Sequence, residues 1–401
     1  MGKQRTQLIN TLREVTERLS GLERTPCSPG EREAAMWLAE RLRAAGAREV
    51  KLEQTPSWGC FQPQLAVLGA LQLIAGACAL AGRRLLALAA AAITAAGLID
   101  EVQNGPRILR RALRRRRSTV NVIARAGDPR GRGTLVVLAH HDAPRTGVIF
   151  DQHPQIALYR LWPERIARIR TQPPQWWLGL VSPALSAVAS LTGSRRLARA
   201  GLPFAALFTA AMVDMWRSPT VPGANDNLSG VAALVALAEQ ARQHPLEGLQ
   251  LLLVSCGAEE TLQDGVRGFI AAHRHELDPS RTWFLNLDAV GSPHLILLEG
   301  EGPIWMEDYA GPEWRSLIAT VAAERGIGLE RGVRARASSD TVIPSRAGFP
   351  SAMIASVTPW RVPANYHLLS DVPERLDYES IADAAELAWA LAERLAAAGP
   401  A

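Results

Sequence analysis

Five short β-rich runs, Thr134 to Ala139, Leu251 to Ser255, Trp283 to Leu287, Leu295 to Leu298 and Ala352 to Ser356, alternate with segments of helical periodicity. The helical patterns run from Leu228 to Arg242, Trp314 to Arg325 and Tyr378 to Ala397. An earlier one, Glu31 to Ala45, is opened by Pro29-Gly30 and stopped by Gly46. Strands that alternate with helices predict an α/β fold, a three-layer sandwich around a mostly parallel sheet. In such sheets, sites form where strands end.

Two stretches break the pattern. Ala/Leu-rich runs at Leu65 to Ala81 and Leu85 to Ile99 flank Gly82-Arg83-Arg84, and a second pair, Trp176 to Thr192 and Ala200 to Val213, flanks Gly193-Ser194-Arg195-Arg196. Both read as inserted hydrophobic helical hairpins. Apolar residues make up 48% of the chain but aromatics only 5%, so the hydrophobicity comes mainly from Ala, Leu and Val, which suits packed or membrane helices. The expected organisation is a catalytic domain over 1–60, 118–150 and 217–401. The first hairpin and an Arg-rich segment fill 61–117, and a linker and the second hairpin fill 151–216.

The net charge of +5 leans on one arginine run between Arg107 and Arg117 that has no interleaved aromatics, so no nucleic-acid partner is expected. Cys27, Cys60, Cys78 and Cys256 have neither metal-ligand spacing nor a disulfide framework and fit a reducing compartment. The segment Gln4 to Leu19 reads as a charged amphipathic helix rather than a secretory signal.

The residues that carry chemistry stand at element ends. The run Thr134 to Ala139 leads into His140-His141-Asp142, where a His two residues before an Asp can bind metal while the carboxylate orients its ring. Asp226 and Asn227 precede an apolar helix, where either would serve as an N-cap in a purely structural account. Glu259-Glu260 follows the run ending at Ser255, and two adjacent carboxylates are costly to bring together unless a cation binds one. Asp288 closes a further strand, and His367 lies in a loop before the final helix. Imidazole and carboxylate ligands without thiolate suit zinc, with cobalt or manganese as alternatives.

In its ordered motifs the sequence resembles the co-catalytic zinc aminopeptidases of metallopeptidase family twenty-eight: His-x-Asp, an Asp at a helix start, Glu-Glu, an Asp after a strand and a late His. The resemblance covers the chain outside the hairpins and the segments next to them. It implies two zinc ions, one held by His140 and Asp288, the other by Glu260 and His367, with Asp226 bridging. It also implies Glu259 as general base, Asp142 as the partner of His140, and a non-proline cis peptide after Asp226. Where the family often has Ser-Asp-His, Ser339-Asp340-Thr341 stands. The implied activity is hydrolysis of N-terminal peptide bonds in a peptide or aminoacyl substrate. Alternatives within the fold are a glutaminyl cyclase-like aminoacyltransferase with one zinc and a metal-free membrane scaffold or receptor.

For such a site to form, His140 and Asp226 must meet although the second hairpin separates them, so the hairpin must return the chain to the side it left. Insertion of residues 65–99 and 176–213 into a lipid bilayer satisfies this. Trp58, Phe61, Trp176, Trp177 and Trp216 then form an interfacial belt. Arg107, Arg110, Arg111 and Arg114 to Arg117 outnumber Arg83 and Arg84 at the first tip, which places the catalytic domain on the cytoplasmic side. Arg195, Arg196 and Arg199 at the other tip count against this. Apolar runs of about 14 to 17 residues also fall short of the roughly 20 that cross a bilayer. A soluble helical lid in the cytoplasm is the alternative.

Overall fold

The computed structural model describes residues 2–398. Among the described residues nine strands form one sheet: β1 (Arg48–Ser57), β2 (Arg117–Gly127), β3 (Gly133–His140), β4 (Leu249–Cys256), β5 (Thr282–Leu287), β6 (His294–Glu301), β7 (Glu307–Asp308), β8 (Glu330–Ala335) and β9 (Ser351–Val357). Their order is β1-β2-β4-β3-β5-β9-β6-β7, with β8 beside β6. The central strands β4, β3, β5 and β9 pair in parallel. Antiparallel pairing is confined to the margins, in β1 with β2, β2 with β4, β9 with β6 and β6 with β7.

In chain order the helices are α1 (Gly2–Ser20), α2 (Pro29–Ala45), α3 (Gln62–Leu80), α4 (Arg84–Val102), α5 (Ile108–Leu113), α6 (His153–Leu161), α7 (Pro163–Ala167), α8 (Leu178–Thr192) and α9 (Arg195–Arg217). They continue with α10 (Ser229–Gln243), α11 (Asp264–His273), α12 (Pro312–Glu324), α13 (Val342–Arg346) and α14 (Tyr378–Ala398). Alternate residues of β3 feed two cores, as a pleated strand buried on both faces requires. Leu135, Val137 and Ala139 pack with α1, α2, α10, α12 and α14, while Val136 and Leu138 pack with α11 and α13. The start and stop signals of α2 act as expected. Ser28 accepts the Glu31 amide as N-cap, and Gly46 ends the helix in the left-handed region at φ 100°.

The first hairpin, α3 and α4, replaces the turn between β1 and β2, whose last facing pair is Ser57 and Arg117. Because β2 runs antiparallel to β4, with Val122 opposite Ser255, that turn lies at the edge where the parallel strands end. The second hairpin, α8 and α9, packs on the first to form a four-helix bundle. Length is less of an obstacle than the apolar runs suggest, because polar residues extend the helices. α3 and α4 have 19 residues each and α9 has 23, and by length and composition these three could cross a membrane. Nineteen residues span about 28 Å at 1.5 Å per residue. α8, with 15 residues and Pro183 inside it, remains short.

The bundle sets polar side chains among its buried apolar ones, such as Leu65, Leu68, Leu98 and Met212, and is apolar without. Gln64, Gln72, Thr94, Ser182, Ser186 and Ser190 are buried between its helices, and Gln72 donates to the Ala90 carbonyl. Leu85, Leu191 and Leu207 are 83%, 70% and 70% exposed, and Val67, Ile74 and Ile93 also face outward. Gly69 lets α3 approach α9 so closely that a Cβ there would collide with Thr209. The basic segment behaves differently from the reading that counted all its arginines at the membrane surface. Arg107 and Arg110 are buried, paired with Asp264 and Glu101, and Arg110 also donates to the Thr261 carbonyl. Only the later arginines of the run, with Arg111 over the Trp58 ring, remain at the surface.

Candidate metal centre

The ends of β3, β4 and β5 place four of the expected residues side by side. His140 is the last residue of β3, Glu259 and Glu260 form a short turn after β4, and Asp288 follows β5. Asp142 holds two of these ends together. Its Oδ1 accepts the Glu259 amide at 3.1 Å, its Oδ2 accepts the Glu260 amide at 3.0 Å, and Oδ1 lies 3.4 Å from His140 Nδ1. It therefore shapes the Glu-Glu turn as well as facing the imidazole.

Asp226 reaches the same point from the irregular segment before α10. Asp371 accepts the backbone amides of Asn225 at 2.7 Å and Asp226 at 3.1 Å, and the Asp226–Asn227 peptide is cis. Of the two candidate caps, Asn227 takes the capping role. Its Oδ1 accepts the Gly230 amide at 3.1 Å and its Nδ2 donates to the Leu287 carbonyl. The Asp226 carboxylate is thereby left to the imidazoles, with Oδ1 3.2 Å from His140 Nε2 and Oδ2 3.1 Å from His367 Nε2. His367 comes from the loop after β9 and sits against Phe150 and Tyr366, at ring separations of 4.3 and 4.0 Å.

All five expected ligand residues converge. His140, Asp226 and Asp288 form one cluster and Asp226, Glu260 and His367 a second, each with ligand atoms within 4.8 Å of one another. Asp226 is common to both. Glu259 groups only with His140 and Glu260.

Burial, reinforced by neighbouring carboxylates and opposed by the charge on His140, raises Glu259 and Glu260 well above the usual carboxylate range and Asp288 to about 6. Burial acts the same way on Asp226, but its hydrogen bonds with His140 and His367 hold it low. Asp340 is fully buried with neither oxygen hydrogen-bonded and is pushed to about 8. So many buried carboxylates against two imidazoles make a site that a divalent cation would relieve, and its N and O donors fit zinc.

Residues 205–392 match peptidase family M28. Over this stretch, a little under half of the chain, the sequence is similar to that family. A likeness of fold to solved structures extends over nearly the whole chain. A structure of an aminopeptidase from Aneurinibacillus sp. strain AM-1 superposes with TM-score 0.55 at 14% identity, covering 97% of this chain and 95% of that one. A zinc aminopeptidase from Bacillus subtilis gives 0.53 at 14% identity, with 96% and 94% covered. A glutaminyl cyclase from Fimbriiglobus ruber gives 0.54 at 15%, with 97% and 94% covered. At these identities the likeness is one of fold. No curated protein matches the sequence.

Several residues that support the site carry no local signal. Gln263 Nε2 donates to Glu259 Oε1 at 2.7 Å and to the Ser338 carbonyl at 3.0 Å. Glu31, from α2, accepts the Ala258 amide at 2.8 Å. Glu31, Glu301 and Asp371 are pushed to about 8, 7 and 7, in each case chiefly by burial. A carboxyl whose folded pKa exceeds its unfolded value of about 4 favours the folded state when protonated. That contribution is full below the unfolded pKa and is lost as pH rises through the folded one. In metal-free protein the melting temperature is therefore expected to rise as pH is lowered from 8 to 6 in differential scanning calorimetry. A melting temperature that fell over that interval would contradict the arrangement.

Proposed function

We propose that the chain is a zinc-dependent aminopeptidase. His140 and Asp288 would hold one ion, Glu260 and His367 the other, and Asp226 both. The observation that carries this reading is a single carboxylate shared by two ligand clusters. Cobalt or manganese would satisfy the same donors. When bound, such a pair of ions acidifies water and polarises a carbonyl. Glu259, with its raised proton affinity and its orientation fixed by Gln263, takes the proton of the attacking water and returns it to the leaving amine. Asp142 keeps His140 and the Glu-Glu turn in register. The acidic surroundings favour a free α-amino group on the substrate. The catalytic domain would comprise 1–60, 118–150 and 217–401.

A panel of aminoacyl fluorogenic substrates, run with zinc-loaded protein alongside N-terminal glutaminyl peptides, tests this reading. Release of the N-terminal residue is expected. The neighbouring cyclase structures make pyroglutamate formation the second reading, and that product without hydrolysis would replace the first.

The hairpins would anchor the protein in a bilayer. An apolar exterior, over an interior in which Gln, Ser and Gly stand at the helix contacts among buried Leu and Ala, departs from the pattern of a water-soluble bundle and matches helices packed in lipid. Free cysteines and the exposed arginines Arg111 and Arg115 to Arg117 support a catalytic domain on the cytoplasmic side. The expressed protein is expected to float with added phospholipid vesicles and to resist carbonate extraction. Recovery as a monodisperse species in the supernatant without detergent would favour a soluble lid. Arg196→Cys at the second tip should react with an impermeant thiol reagent outside intact cells, and labelling only after lysis would reverse the orientation.

A further inference from the structure

We propose that the substrate is the N-terminus of a polypeptide itself anchored in the bilayer, presented close to the membrane surface. The inference rests on the membrane reading above. Its geometric basis is that the bundle and the metal centre share one edge of the sheet. The β1–β2 turn replaced by the first hairpin lies where β4 ends, and β4 leads directly to Glu259 and Glu260. The cavity beside Glu260 and His367 is lined by Cys60, Phe61 and Gln62, where α3 begins, and by Met215, in the last turns of α9. A substrate that reaches Glu260 and His367 from this side would meet the base of the bundle. In the membrane reading this is the level of the headgroups.

The rim has matching chemistry. The Val148 amide donates to Asp214 of α9 at 2.7 Å, and two residues on, Phe150 packs against the His367 ring. This short segment thus connects the bundle base to a candidate ligand while Val148, 78% exposed, and Ile149 face outward. An apolar rim at headgroup level suits a chain emerging from lipid, and the carboxylate-rich centre behind it suits a free amine.

The test uses full-length zinc-loaded protein in phospholipid vesicles and one N-terminal peptide sequence in three forms. The forms are a free peptide, the peptide joined to a single hydrophobic helix by roughly 5 residues, and the same fusion with roughly 30 flexible residues. Confinement to a vesicle raises the rate for both fusions, so the comparison between linkers decides. The short fusion is expected to be cleaved at least as fast as the long one and about 10-fold faster than the free peptide. Combining Val148→Asp with Ile149→Asp should bring the short-fusion rate toward that of the free peptide. A long fusion cleaved faster than the short one, by protein that floats with the vesicles, would overturn this inference and leave the anchoring intact. Protein that does not float removes both. Hydrolysis of none of the three peptides removes the peptidase reading and this inference with it.

Discussion

Glu259→Gln is expected to lower kcat by about 10² to 10⁴-fold, the usual contribution of a positioned general base, while bound metal is retained. Glu259 stands outside both clusters that share Asp226, so losing its charge removes proton transfer without removing a ligand from either. The amide is isosteric, and its carbonyl oxygen can still accept the 2.7 Å hydrogen bond from Gln263. Position and fold should therefore persist. Steady-state kinetics paired with elemental analysis of the same sample separates the possibilities. Near-normal kcat would exclude Glu259 as the base, whereas loss of metal would make it a ligand.

Asp226→Ala is expected to abolish both metal binding and turnover. Its carboxylate lies 3.2 Å from His140 Nε2 and 3.1 Å from His367 Nε2, so one substitution opens both clusters. The backbone there should survive, since Asp371 holds the amides of Asn225 and Asp226 rather than the side chain. An unchanged far-ultraviolet circular dichroism spectrum would show that folding is intact. Retention of one equivalent of metal would mean that the two clusters do not share this residue. Glu260→Gln, by comparison, should weaken only the cluster containing His367.

The strands that flank the site were legible because they are short, apolar and followed directly by polar residues. The runs ending at Ala139, Ser255 and Leu287 correspond to β3, β4 and β5 within one or two residues at each end. β1 was not, since its exposed, charge-bearing sequence Arg48-Glu-Val-Lys-Leu-Glu53 has no buried stripe and gains its place only by pairing with β2. Four of the five candidate ligands were visible because each stands at an element end, whereas His367, in a long loop between β9 and α14, stood out only as the last member of the ordered motifs. Gln263, Asp371 and Glu31 were invisible, since their partners lie in other elements or in turns whose shape only the fold defines. Arg107 and Arg110 illustrate the opposite error. A run of arginines suggests a solvated surface, yet two of them are buried against Asp264 and Glu101, residues on separate elements.

The central claim is a pair of metal ions sharing Asp226, and counting metal per chain tests it most directly. Protein purified in detergent without chelator, dialysed against zinc-buffered solution and measured by inductively coupled plasma mass spectrometry, is expected to carry two zinc equivalents per chain. One equivalent would contradict the shared site and point toward the cyclase chemistry, and none would contradict a metal-dependent enzyme altogether.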